Sequence, residues 1–121
     1  MSQIFEVWLD EERQIIRQRL HAEPDLSQFM DIVAATDACA SRLGNPDVIH
    51  ILIDGDWSGH MGKLVRAAAA DTLRKPELKR AAIVAKSAVV RIMIRFVRIA
   101  TGLDKVRTFP DEATALAWLV S

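Results

Sequence analysis

The chain is poor in cysteine: Cys39 is its single cysteine among 121 residues, so no disulfide can form within it. Its first residues also lack the positively charged start and apolar run that are typical of a secretory signal peptide. Because disulfide-rich proteins belong to oxidising compartments, these two absences predict a cytoplasmic protein. Cys39 itself lies among alanines of a predicted helix, where a buried thiol behaves as a small apolar side chain.

Net charge is missing as well, because 16 basic residues balance 16 acidic ones. Proteins that bind nucleic acid usually carry an excess of positive charge, so we expect no nucleic-acid partner. The longest apolar-rich stretch, 81–100, contains one lysine and three arginines. Since a membrane-spanning helix needs about 20 predominantly apolar residues, we expect no membrane span. Repeats, low-complexity segments and linkers are also lacking, which predicts one domain over residues 1–121.

What the sequence does contain is an alternation of strand-like and helix-like segments. Residues 3–9 and 14–21 predict a β-hairpin with a charged turn. Further strands are predicted over 48–54, 80–86 and 105–109, and helices over 25–43, 59–75, 88–101 and from 111 onward. The order β-β-α-β-α-β-α-β-α predicts an α/β fold with a mixed, mostly parallel sheet packed against helices.

The first helix has signals at both ends. Asp25 and Gln28 form a capping box at its start, and Gly44-Asn45-Pro46 follows its end, where glycine accepts a left-handed conformation. Its predicted inward-facing residues are Leu26, Phe29, Val33, Thr36, Ala40 and Leu43.

The segment from Val48 to Leu64 is the best candidate for a site. The strand 48–54 lacks polar alternation, as expected of a strand covered on both faces, and ligands of such sheets gather beyond the carboxyl ends of the strands. We therefore predict a binding or switch surface at the residues that follow this strand, namely Asp54, Asp56, Trp57, Ser58, Gly59 and His60.

Several of these residues have more than one interpretation. Asp54, Asp56 and His60 are of the types that hold a metal or act as acid and base, but their spacing matches no metal motif, and loop acids usually cap helices and turns. We therefore predict no catalytic residue, no metal and no cofactor. Trp57 either plugs the end of the core, which is the preferred interpretation, or anchors a partner.

The helix predicted over 88–101 is more apolar than one sheet-facing side requires. Arg91, Arg95 and Arg98 form one stripe, and apolar side chains cover the rest. One interpretation is a deeply packed helix with a solvated arginine rim. The other is a second contact surface, for a sister subunit, a membrane face or an enclosed apolar ligand, of which we favour a homodimer because closed twofold pairs are common.

The element order, with Asp54 ending the central strand, and the closing pattern from Val106 to Leu119 resemble the SpoIIAA-like family of small bacterial STAS/SEC14-type domains. The most specific part is the tail, where Phe109 ends a strand, Pro110-Asp111-Glu112 starts a helix, and Ala-Leu-Ala-Trp-Leu follows. This resemblance implies a compact α/β domain without known enzymatic chemistry. The family's distant relatives include anti-sigma-factor antagonists and lipid-carrying SEC14 domains.

In the classical antagonists, a phosphorylated serine in a pattern like Asp-Ser-Ser-Gly-Leu-Gly starts the helix after this strand. Here Ser58-Gly59-His60-Met61-Gly62 stands at the matching place, with a shorter spacer from Asp54 and an imidazole after the glycine. Ser58 therefore either caps the helix, which is the preferred interpretation, or accepts a phosphate. The resemblance implies a non-enzymatic regulatory or protein-interaction module, or alternatively an apolar small-molecule or lipid-binding domain.

Overall fold

The structure is a computed structural model, and it describes residues 4–55, 62–88, 91–92, 95, 98, 102 and 104–121. Within these residues it contains a five-stranded sheet and three helices, in the predicted alternating order. Their bounds are β1 Phe5–Asp10, β2 Ile15–Leu20, α1 Leu26–Ala40, β3 Ile49–Gly55, α2 Lys63–Leu73, β4 Leu78–Val84, β5 Val106–Phe109 and α3 Glu112–Leu119. The described residues among 88–98 also have helical conformation, as predicted for this segment.

The strands lie in the sheet in the order in which they occur in the chain. β1 pairs with β2 antiparallel, and every later neighbour is parallel. Parallel neighbours need a crossover connection, and the helical segments between the strands supply it. The predicted α/β class and mixed sheet are confirmed. One consequence is that the carboxyl ends of β2, β3 and β4 meet at the same edge of the sheet.

The sheet has a hydrophobic core on each face. On one face, Ile16, Ile51 and Ala81 pack with Cys39 of α1 and with Leu43. On the other face, side chains of β2, β3 and β4 pack against α3, in a cluster formed by Ile15, Leu52, Ala82, Val84, Ala115 and Leu119. Because β3 is covered on both faces, its apolar residues do not alternate with polar ones.

The predicted capping box of α1 is confirmed. The Asp25 carboxylate accepts from the Gln28 backbone at 2.8 Å, and the Gln28 side chain accepts from the Asp25 backbone at 2.9 Å. The end of the helix differs from the prediction, because α1 stops at Ala40 with Ser41 as its cap. Among the described residues only Gln14, at φ 56°, and Gly102, at φ 68°, have positive φ, so Gly44 is not a left-handed cap.

The predicted inward face of α1 was partly wrong. The buried residues of the helix are Ile32, Thr36 and Cys39, whereas Leu26 in the first turn is 39% exposed. Thr36 is tolerated in the interior because its hydroxyl donates to the Ile32 carbonyl at 2.7 Å and accepts from the Gln18 side chain of β2 at 2.9 Å. This hydrogen bond links the buried face of α1 to β2, and it depends on a residue distant in the sequence.

No helix in the described part of the chain is both long and apolar enough to cross a membrane.

Candidate functional site

A cleft of about 360 Å³ opens at the carboxyl ends of β2, β3 and β4. Its volume lies within the range of small-molecule sites, which is roughly 300–1,000 Å³. Four of its lining residues have ionisable side chains, which makes it a polar cleft. The lining residues are Arg19, Leu20, His21, Asp54, Gly55, Ile83, Val84, Ala85, Lys86 and Ser87.

Strand register brings the charged groups of the cleft together. Arg19 of β2 lies opposite Asp54 of β3, and Asp54 lies opposite Val84 of β4. Paired residues of neighbouring strands point to the same face of a sheet, so Arg19 and Asp54 lie on the same face at the strand ends. Lys86 follows two residues after Val84, where the chain leaves the sheet, and it is exposed. The cleft is therefore built by three strand ends.

Arg19 is oriented by an aromatic ring rather than by a carboxylate. Its guanidinium carbon lies 5.5 Å from the centroid of the Trp8 ring, and that of Arg17 lies 5.4 Å from the same centroid. Such cation–π contacts contribute about 0.5–1 kcal/mol each at exposed sites. Within the described part of the chain, Arg19 forms no ion pair with Asp54 or with any other acid. Its hydrogen-bond donors are therefore not engaged by any acid among the described residues.

Arg17, two residues before Arg19 on β2, is engaged by carboxylates. It forms ion pairs with Asp10 at 3.9 Å and with Glu112 of α3, and its Nε atom is buried without a hydrogen-bond partner. Burial lowers the pKa of Arg17 from its usual value, although a guanidinium stays protonated in proteins. Arg17 therefore joins α3 to the sheet, which leaves Arg19 as the arginine that faces the cleft.

The rim formed by residues 85–87 is held by Arg91. The Arg91 Nη1 atom donates to the carbonyl oxygens of Ala85 at 2.7 Å and Lys86 at 3.0 Å. The Ala85 amide in turn donates to the Phe109 carbonyl at 2.9 Å, which ties the rim to β5. A third positive charge consequently lies next to the cleft, and two acceptor groups of the rim are already occupied.

His21 closes the cleft beside the hairpin. Its Nε2 atom lies 3.0 Å from a Glu6 carboxylate oxygen on β1, and its backbone amide donates to the Ile4 carbonyl at 2.7 Å. Both side chains of this pair are about half exposed. The pair links the end of β2 to β1 beside the cleft.

The structure places only part of the predicted site. Asp54 lines the cleft, whereas Asp56, Trp57, Ser58, Gly59 and His60 lie outside the described residues. Of the three arginines predicted as an interface, Arg91 holds the cleft rim, Arg95 is exposed and Arg98 is half-buried. The interface itself stays a prediction.

Sequence reasoning missed Arg19 and Lys86 as members of the site. Both lie near the ends of predicted strands, so the sequence indicated that each lies near an edge of the sheet. Their proximity to Asp54 depends on which strands are neighbours, which the sequence did not indicate. Within the described part of the chain, no three His, Cys, Asp or Glu side chains form a group that could hold a metal ion. The charged lining of the cleft also differs from the apolar cavity that a lipid carrier would need, and that alternative stays a prediction.

The comparisons with known proteins agree with this architecture. A model of the family described as SpoIIAA-like matches residues 15–120 of the chain. A similar solved structure is that of an uncharacterized protein from the DUF3478 family with a SpoIIAA-like fold, from Shewanella loihica PV-4. It has a TM-score of 0.71 and 16% sequence identity, and the similarity covers 98% of each chain. At this identity the likeness shows the fold alone. No curated protein matches the chain.

Proposed function

Since this chain belongs to the SpoIIAA-like family, we propose that it is a non-enzymatic regulatory module of the STAS type that binds another protein. The binding surface in this proposal is the cleft at the carboxyl ends of β2, β3 and β4, together with residues 56–60, which directly follow its lining residue Gly55. The single observation that carries the proposal is the set of charged side chains in the cleft that form no ion pair within the described residues.

The charges at the cleft are distinguished by meeting in one concave site, since exposed charges elsewhere in the described part of the chain, such as Lys79, also lack an ion-pair partner. Asp71 and Arg74 contact each other at 3.4 Å, and Glu11 and Arg42 at 2.9 Å. In the cleft, Arg19, Asp54 and Lys86 form no ion pair with one another or with other described residues, and they line the same concavity, where one molecule can contact all three. Charged groups of opposite sign across an interface speed association and select the partner, so such groups at a concave site favour specific binding.

The test is capture of partner proteins from an extract of the native host, with matched charge reversals at the two ends of β4. Lys86→Glu changes the cleft, whereas Lys79→Glu makes the same change at the opposite end of the strand, where Lys79 is exposed. We expect wild type and Lys79→Glu to capture the same protein and Lys86→Glu to lose most of it. Trp57→Ala tests the adjoining segment in the same way.

Equal capture by all four proteins would show that the partner binds elsewhere. The same samples must retain the circular dichroism spectrum of the wild type, so that loss of capture reports on the surface and not on folding.

A further inference from the structure

The cleft has more positive than negative charge close to it. Arg19 and Lys86 line it, and Arg91 lies one carbonyl group away, with its Nη1 atom 2.7 Å from the Ala85 oxygen and 3.0 Å from the Lys86 oxygen. The opposing charge among the lining residues is the Asp54 carboxylate. With the Glu6 carboxylate, which lies 3.0 Å from His21 Nε2, counted alongside Arg91, three cations stand against two carboxylates, a small local excess of positive charge in a chain whose net charge is zero.

The hydrogen-bonding groups of the cleft also favour a negatively charged ligand. Two carbonyl oxygens of the rim already accept from Arg91, which reduces their capacity to bind a donor from a ligand. The Arg19 guanidinium and the Lys86 ammonium are both donors, and neither has an ion-pair partner among the described residues. Stacking on Trp8 at 5.5 Å also limits the motion of the Arg19 side chain, which lowers the entropy lost on binding.

From these observations we propose that the cleft is an oxyanion site, in which Arg19 and Lys86 hold a carboxylate or phosphate group carried by the partner. A planar guanidinium binds such groups with two parallel hydrogen bonds, and an ammonium adds a point charge. This inference rests on the proposed function, because the oxyanion would be the part of the partner that enters the cleft. Asp54 has a defined role in it, since its carboxylate repels the bound anion and sets a limit to the affinity.

The experiment is a titration of the ¹⁵N-labelled full chain with inorganic phosphate and, separately, with acetate, at constant ionic strength. We expect saturable shifts of the amide signals of Arg19, Ala85 and Lys86. Binding of either ion at these amides supports the proposal, and the ratio of the two affinities distinguishes a phosphate source from a carboxylate source. Lack of saturable shifts at these amides with both ions would overturn it.

Three variants sharpen the result. Lys86→Glu should weaken binding by roughly ten-fold or more, because it replaces a charge-assisted hydrogen bond by a repulsion, whereas Lys79→Glu should leave the affinity close to that of the wild type. Asp54→Asn should tighten phosphate binding, since the amide removes the opposing charge without changing the shape of the side chain. Weaker binding by Asp54→Asn, or equal weakening by both lysine variants, would contradict the proposal.

Loss of phosphate binding and loss of partner capture are separate readouts. If the partner depends on Lys86 but neither ion binds, the oxyanion inference fails and the proposed function stands. If the ions bind but capture of the partner is unaffected by Lys86→Glu, the cleft binds oxyanions, but the proposed interaction surface and the assignment of the oxyanion to the partner are both wrong.

Discussion

Replacement of Leu119 by alanine should destabilise the protein strongly, because this side chain anchors α3 on the sheet. Leu119 is 0% exposed and packs in the cluster that contains Ile15, Leu52 and Ala82. Leu119→Ala removes three carbon atoms from a close-packed site and leaves a cavity. Buried leucines truncated in this way cost about 2–5 kcal/mol of the free energy of unfolding.

The upper half of that range is expected here. The neighbours of Leu119 include strand residues such as Leu52 and Ala82, which are 1% and 0% exposed and are held in the middle of the sheet. Rigid neighbours of this kind move little into a cavity. The energetic cost of the cavity therefore adds to the lost hydrophobic free energy of the removed atoms. A loss of about 3.5–5 kcal/mol corresponds to a decrease in Tm of roughly 10 °C or more in a domain of this size.

Urea denaturation followed by circular dichroism measures this loss directly. The matched control is Val120→Ala, one residue further along the chain, because Val120 is 58% exposed. The control should change the free energy of unfolding by about 0.5 kcal/mol or less. A loss of under 1 kcal/mol for Leu119→Ala, or equal losses for both variants, would refute the packing of α3 against this face.

Two further predictions concern pH and assembly. Burial, with a further contribution from the positive charge of Arg80, lowers the pKa of His50 below its ordinary 6.5, so the unfolded chain binds the proton first as the pH falls. The contribution of His50 to stability is therefore fully present above about pH 6.5 and is lost as the pH falls toward the lower pKa of the folded state. In thermal denaturation between pH 8 and 5.5, His50→Gln should show a smaller decline in stability than the wild type. An unchanged decline would contradict this prediction. We also expect a homodimer by size-exclusion chromatography with light scattering, since Ile92 in the apolar segment is 55% exposed; a monomer at micromolar concentration would count against it.

Local signals in the sequence predicted local structure well. The capping box at Asp25 and Gln28 needs only residues three apart, and Pro110-Asp111 marks the start of α3, where the Asp111 carboxylate accepts from the Thr114 amide at 2.8 Å. Hydrogen bonds from Thr114 also lower the pKa of this carboxyl group below its ordinary value. The parallel direction of the later strands followed from the alternation of elements, because parallel neighbours require crossovers, whereas the spatial order of the strands came from the structure.

Features that depend on distant contacts could not be predicted from the sequence in the same way. The buried face of α1 is linked to β2 by the hydrogen bond between Gln18 and Thr36, 18 residues apart. The cleft brings Arg19 next to Asp54 only through the register between β2 and β3. Asp54 was predicted because it ends an apolar run, whereas Arg19 and Lys86 have no sequence pattern that indicates a shared site.

The central claim is that the partner binds at the carboxyl ends of β2, β3 and β4. The most direct test is isothermal titration calorimetry of the captured partner with wild type, Lys86→Glu and Lys79→Glu. We predict that Lys86→Glu raises the Kd by roughly ten-fold or more, as expected for loss of a charge-assisted contact, while Lys79→Glu leaves it close to the wild-type value. A Kd that is unchanged by Lys86→Glu, or raised equally by both variants, would contradict the account.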